Sequence, residues 1–300
     1  MTSRESREHQ QQRAGLVAET ARAARDMWRR VTLEDIRRSW ATQVRRLLVV
    51  VFAAQIAAAQ QAEHWISRTR GTGDPVGQIV PENFAGTASD GRDMDGLLMY
   101  PALVTINEVR QGVSPERALA RGATWLDFLT RTQIADTGRA ADSVAMAVRL
   151  DIIGYERVVH LPACSRCIVL AGRLYQYNQG FQRHPACDCT MEPVTREQRR
   201  NARPENTPRA LFTAMSAREQ DKAFTIAGAK AIRDGADISR VVNARRGMTT
   251  ATYYGRTIKV TRERARRGAR SPRLMPEEIY RRAKDREHAL NLLRKHGYIL

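Results

Sequence analysis

Cysteine is scarce in this chain: four residues in 300, every one between positions 164 and 189. A disulfide framework distributed along the fold is thereby excluded. Long apolar runs are missing too. The longest, Leu47 to Ala59, is thirteen residues and contains Gln55, short of the roughly 18 to 20 that a membrane helix needs, so no membrane partner is expected. The same run lies too far from Met1 to be the core of a secretory signal, which leaves a reducing cytoplasm as the expected compartment. Lysine supplies only five of the fifty basic residues, the bias of a GC-rich genome. Neither glycine nor proline interrupts the stretch between Gly15 and Gly71. No nucleophile elbow, H-E-x-x-H or phosphate-binding glycine loop occurs, and no enzymatic activity is expected.

What is present is a core and an uneven charge. The length fits about two domains, and 42% hydrophobic residues suffice to bury a core. Of the net charge of +18, residues 195–300 carry +15, with 26 basic and 11 acidic side chains. Such a tail is drawn to a polyanion.

The first dozen residues, polar and rich in glutamine, read as a disordered leader. From Leu16 to Trp65, apolar residues recur at helical spacing (Trp28, Ile36, Trp40, Val44, Leu47, Val51), predicting one long helix or two closely joined ones. Residues 1–70 are thus a helical N-terminal region, and the glycine-bearing stretch 71–96 a linker. Helical spacing resumes over Leu97–Val109. Ser114-Pro115-Glu116 caps a helix from Pro115 to about Ile134, and Gly138 separates it from another over Arg139–Ile152. A strand is expected over Tyr155–Leu161. In the tail, Ser216-x-x-Glu219 is a capping box ahead of a helix over Ala223–Arg233. Ile238–Arg246 and a last helix from Pro276 to His296-Gly297 follow.

The cysteines form Cys164-Ser165-Arg166-Cys167 and, sixteen residues later, His184-Pro185-Ala186-Cys187-Asp188-Cys189. A C-x2-C turn places two thiolates on one tetrahedral ion, and a second Cys/His cluster supplies the other half of a closed structural zinc site. Five candidates compete for four positions: Cys164, Cys167 and Cys187 rank first, with His184 and Cys189 contending for the fourth. Arg166, Arg173 and Arg183 are placed to offset the thiolate charge. Two disulfides, reduced cysteines without metal, and a catalytic or redox site are the alternatives.

This run, from Tyr155-Glu156-Arg157-Val158-Val159-His160 through the C-x-x-C, Gly172-Arg173-Leu174-Tyr175 and the His-Pro-x-Cys-x-Cys to Pro193-Val194, resembles the MuF family of minor head proteins of tailed bacteriophages. Asp188 stands where the family pattern has arginine. The resemblance covers about residues 97–194 and implies a low-copy virion component, incorporated during head morphogenesis near the portal and assembled in the host cytoplasm. Portal or major capsid protein would be its partner, with packaged double-stranded DNA met through the tail.

Between Arg262 and Arg273, six arginines (Arg262, Arg264, Arg266, Arg267, Arg270, Arg273) accompany one acid. They are the candidate DNA-binding residues, touching phosphates without sequence preference. The rival is a cytoplasmic zinc-containing DNA-binding regulator whose helix-turn-helix, Ala223–Arg246, presents Ser239, Arg240, Asn243 and Arg245 to a major groove. The expected fold class is α+β and predominantly α-helical: a helical N-terminal region, a zinc-stapled β-containing module at 155–194 and a basic helical tail over 195–300.

Overall fold

The computed structural model describes residues 4–69, 71–176, 179–181, 183–184, 187–198, 206–253, 256–263 and 273–299. The chain is predominantly helical with two small antiparallel sheets, an α+β protein as expected. It divides into two compact units, one of residues 2–158 and 174–202, the other of 159–173 and 203–300.

The first unit begins with a helical hairpin, α1 (Arg4–Trp28) and α2 (Ile36–Arg68). Asp35 caps α2, its carboxylate accepting the Arg38 N–H at 3.0 Å. Then come α3 (Met94–Arg110) and α4 (Pro115–Ala147). The apolar stripe legible in the sequence is the seam: Trp28, Trp40, Val44, Leu47 and Val51 share one core with Leu98, Leu126 and Ile134. Both indoles keep their N–H satisfied as they are buried, Trp40 by the Leu98 carbonyl at 2.8 Å and Trp28 by that of Leu119 at 3.0 Å. Their rings meet edge to face at 4.7 Å, a contact contributing about 0.5–1.5 kcal/mol beyond area burial. By length and composition α2 could cross a membrane, with a mean hydropathy of 1.3 over its most apolar window; one third of that window is buried in the protein.

Four expectations are corrected here. Residues 4–12 are not a disordered leader, because α1 starts at Arg4 and buries Ser6, His9 and Arg13. The 1–70, 71–96 and 97–194 divisions do not stand as separate bodies, since one core joins the N-terminal helices to α3 and α4. The linker is fastened by Gln55, the polar residue in the apolar run: its amide donates to the Thr87 carbonyl and Thr137 Oγ1 and accepts the Gly86 N–H. Finally, Gly138 does not break α4. A Cβ there would collide with the Arg13 guanidinium, so the glycine makes room for a buried arginine within one continuous helix.

Strands β1 (Ile152–Val158), β2 (Leu174–Gln176) and β3 (Thr190–Thr195) complete this unit as an antiparallel sheet in the order β2-β1-β3. Tyr155 pairs with Tyr175 on one side and Pro193 on the other.

The second unit holds a short helix, α5 (Ser165–Val169), then α6 (Pro208–Ala214), α7 (Ala217–Phe224), α8 (Ile226–Arg233) and α9 (Ile238–Arg246). Both bonds of the Ser216/Glu219 capping box form, but at the start of α7. The helix expected over 223–233 is split at Thr225, whose φ of 67° is incompatible with helix. A sheet of β4 (Met248–Tyr253), β5 (Arg256–Thr261) and β6 (Arg273–Leu274) follows, then α10 (Pro276–Arg282) and α11 (Arg286–Lys295). The tail is therefore a packed α+β body with its own buried residues, Phe212, Phe224, Ile232, Ile258, Ile279 and Leu293 among them.

Candidate metal centre

The sheet sets up the site. Val158, the last residue of β1, pairs with Thr190, the first of β3. Cys164 and Cys167 follow β1, and Cys187 and Cys189 immediately precede β3. Cys164 caps α5, its sulfur accepting the Cys167 N–H at 3.4 Å. Cys167, Cys187 and Cys189 are buried, Cys164 reaches solvent, and none of the four is in a disulfide.

Two groups of ligand atoms are close enough to hold a metal ion. Those of Cys164, Cys167 and His184 lie within 4.8 Å of one another, and so do those of Cys167, Cys187 and Cys189. Cys167 belongs to both. Four ligands at about 2.3 Å from a tetrahedral zinc sit roughly 3.8 Å apart, which these limits enclose. The five sequence candidates thus fall into two overlapping triads joined at Cys167, and the donor set of soft sulfurs with one imidazole suits zinc.

Three thiols buried together would repel one another as thiolates, so their surroundings test the fit. Arg157 is 1% exposed, with Nη2 at 3.7 Å from Cys187 Sγ and its guanidinium carbon 4.2 Å over the Phe181 ring. Burial opposes its charge, yet Cys189 and Cys187 outweigh burial and hold it firmly protonated. Arg139, on α4, donates from Nε to the Cys189 carbonyl at 3.2 Å and from Nη2 to the Cys187 carbonyl, while Nη1 pairs with Asp136. Burial lowers its pKa against the pull of Cys187 and Cys189. Two buried guanidiniums beside a thiol cluster balance the negative charge that a zinc ion with three or four thiolates retains. The residues fit the metal.

Sequence reasoning named other arginines for that role. Arg166 and Arg173 are exposed, whereas Arg183, ion-paired with Asp136, does feel the thiol cluster: burial lowers its pKa and Cys187 opposes that shift. Arg157 was detectable in principle, as the basic member of an otherwise β-patterned strand. Arg139 was not, since its part depends on how α4 packs against the 187–189 segment.

Of the six candidate DNA-binding arginines, Arg264, Arg266, Arg267 and Arg270 lie outside the described residues. Arg262 directly follows β5 and is exposed. Arg273 is corrected: it is 4% exposed, donates to the carbonyls of His296 and Gly297, and stacks at 4.0 Å on Tyr298, so it faces the interior rather than a phosphate. Two of the rival's four groove-facing residues are also engaged inside their unit, while Asn243 is exposed. Arg240 donates to the Gly297 carbonyl at 2.7 Å, and Arg245 donates to Thr225 Oγ1 and pairs with Glu277.

Comparisons of the chain with protein-family models, with curated proteins and with solved structures return no match.

Proposed function

We propose that the chain is a structural minor head protein of a tailed bacteriophage, held near the portal vertex or in the head interior, with a structural zinc ion in its Cys/His cluster. The observation that carries this reading is the gathering of Cys164, Cys167, His184, Cys187 and Cys189 around a β1–β3 sheet that follows a helical body. That is the order in which the minor head pattern of the sequence places them. Bound zinc would supply a fixed node in place of a larger core, stabilising this segment by about 10–16 kcal/mol of apparent binding free energy. The protein's own part is to hold the ligands at the ends of β1 and β3 and to balance their charge with Arg157 and Arg139.

Portal or major capsid protein is the partner this reading assigns, with packaged double-stranded DNA contacted irrespective of sequence. The test is quantitative mass spectrometry on DNA-filled heads banded on a density gradient from a lysate of the phage that encodes the chain. A few copies per particle, retained through a salt wash, are expected. Absence from the particles, with the chain recovered only in the soluble fraction, would overturn the assignment.

A further inference from the structure

The charge that the sequence concentrates in the tail has a second centre at the closed end of the α1–α2 hairpin. Arg22, Arg29 and Arg30 are exposed at the end of α1, and Arg37, Arg38, Arg45 and Arg46 are exposed at the start of α2. Only three acids share this stretch. Asp26 pairs with Arg29 at 2.9 Å, Asp35 is occupied as the cap of α2, and Glu34 is exposed in the turn.

Helix energetics account for the α1 arginines and not for those of α2. Cations at a helix C-terminus complement its dipole, so Arg29 and Arg30 stabilise the end of α1. The first turn of α2 contains no acid and two arginines, Arg37 and Arg38, set against the positive end of that dipole. The Asp35 carboxylate already answers that dipole, so the exposed guanidiniums of Arg37 and Arg38 are left as surface charge open to a further anion. Two turns further on, at about 1.5 Å per residue, Arg45 lies roughly 10 Å along the helix from Arg38. Both point away from the buried stripe of Trp40, Val44 and Leu47.

We infer that this corner is a sequence-indifferent phosphate-binding surface for double-stranded nucleic acid. A protein partner would need a dry apolar or aromatic centre. The corner has Thr32, Ser39 and Thr42 among its arginines, and its two exposed large apolar residues, Leu33 and Val49, stand sixteen positions apart. Phosphate contact requires only charge and hydrogen-bond donors.

The experiment is fluorescence anisotropy of the full chain on two 20-base-pair duplexes of unrelated sequence, from about 50 to 300 mM NaCl. It compares wild type with the quadruple variant Arg37→Gln, Arg38→Gln, Arg45→Gln, Arg46→Gln and with the matching quadruple lysine variant. Loss of four phosphate contacts makes the slope of log K against log salt shallower by about 3 to 4 and weakens binding at least about tenfold near 0.1 M salt, equally for both duplexes. The lysine variant should keep most of the slope, and the melting temperature of the glutamine variant should not fall. A glutamine variant whose slope stays within about one of wild type overturns the inference. So does a lysine variant as weak as the glutamine one, or a wild type that leaves both duplexes unbound; neither result bears on whether the chain is in the virion. Displacement of the duplex by polyglutamate at equal charge would assign the corner to an acidic protein instead.

Discussion

Asp142 of α4 is the carboxylate on which the α1–α4 packing turns, and its replacement by asparagine should be among the most destabilising single changes outside the metal cluster. Its Oδ1 accepts from His9 Nε2 at 2.9 Å and from Arg13 Nη2 at 3.1 Å, and the side chains of Asp142 and Arg13 are 5% and 9% exposed. Burial disfavours the ionised carboxylate, but Arg13 and His9 outweigh burial and hold its pKa below the usual range. Asparagine keeps the shape and removes the charge, leaving Arg13 buried without its counter-ion. Breaking a buried pair in this way costs about 3–5 kcal/mol. For a body of this size that is roughly a 6–20 °C drop in Tm. Because the folded-state pKa is depressed, the contribution is fully present above the unfolded value near pH 4 and is lost as pH falls through the folded value. Urea unfolding at pH 7 and pH 3 is the assay. Asp142→Asn should lower the midpoint at pH 7 with an unchanged m-value, and the gap from wild type should shrink at pH 3. A loss under about 1 kcal/mol at pH 7, or a gap constant with pH, would refute the reasoning. The triple replacement of His9 by Leu, Arg13 by Met and Asp142 by Leu should recover much of the loss, since it leaves neither a stranded charge nor an unpaired buried imidazole.

Gly138→Ala should destabilise the same helix packing by an amount comparable to overpacking a core, about 1–3 kcal/mol, because the new methyl meets the Arg13 guanidinium; an unchanged urea midpoint would contradict the placement of Arg13. In the other unit, His296 Nδ1 accepts the Leu274 N–H at 3.3 Å, and burial first, then Lys295 and Arg273, lower its pKa to about 4. The folded state thus favours neutral imidazole. Stability contributed there is complete above pH 6.5 and falls as pH drops from 6.5 toward about 4. Unfolding of His296→Gln should have a flatter pH dependence across that window, and a profile identical to wild type would exclude the effect. Arg273→Gln should lower Tm with little change in DNA affinity, since its guanidinium is spent on Tyr298 and two carbonyls; the reverse pattern would restore it as a phosphate contact.

The helical seam could be read in advance because its residues repeat at the helix period with nothing to interrupt them. Trp28, Trp40, Val44 and Leu47 came out on one buried face. The five metal candidates were legible for a similar reason: cysteine is so rare here that clustering alone singles it out. Misreadings arose where a local signal yields to tertiary contact. Gly138 looked like a helix break because its close approach to Arg13 is 125 positions away in sequence. The polar residues 4–12 looked disordered because the partners of Ser6 and His9, namely Trp65 and Asp142, are distant in the chain. The β4–β5 hairpin was overlooked although Met248–Tyr253 and Arg256–Thr261 are rich in β-branched residues, its signal masked by the arginines around it. Arg139 and Arg157 belong to the same class, since their value lies in what α4 and β1 bring to the thiols.

The central claim is that the four cysteines and His184 form a metal staple. Its most direct test is elemental mass spectrometry of protein purified without added zinc, beside the Cys164→Ser, Cys187→Ser double variant. The account predicts about one zinc per chain in wild type, lost in the double variant together with stability of the β1–β3 segment. A well-folded wild-type protein containing no metal, or one whose zinc survives both substitutions, would contradict it.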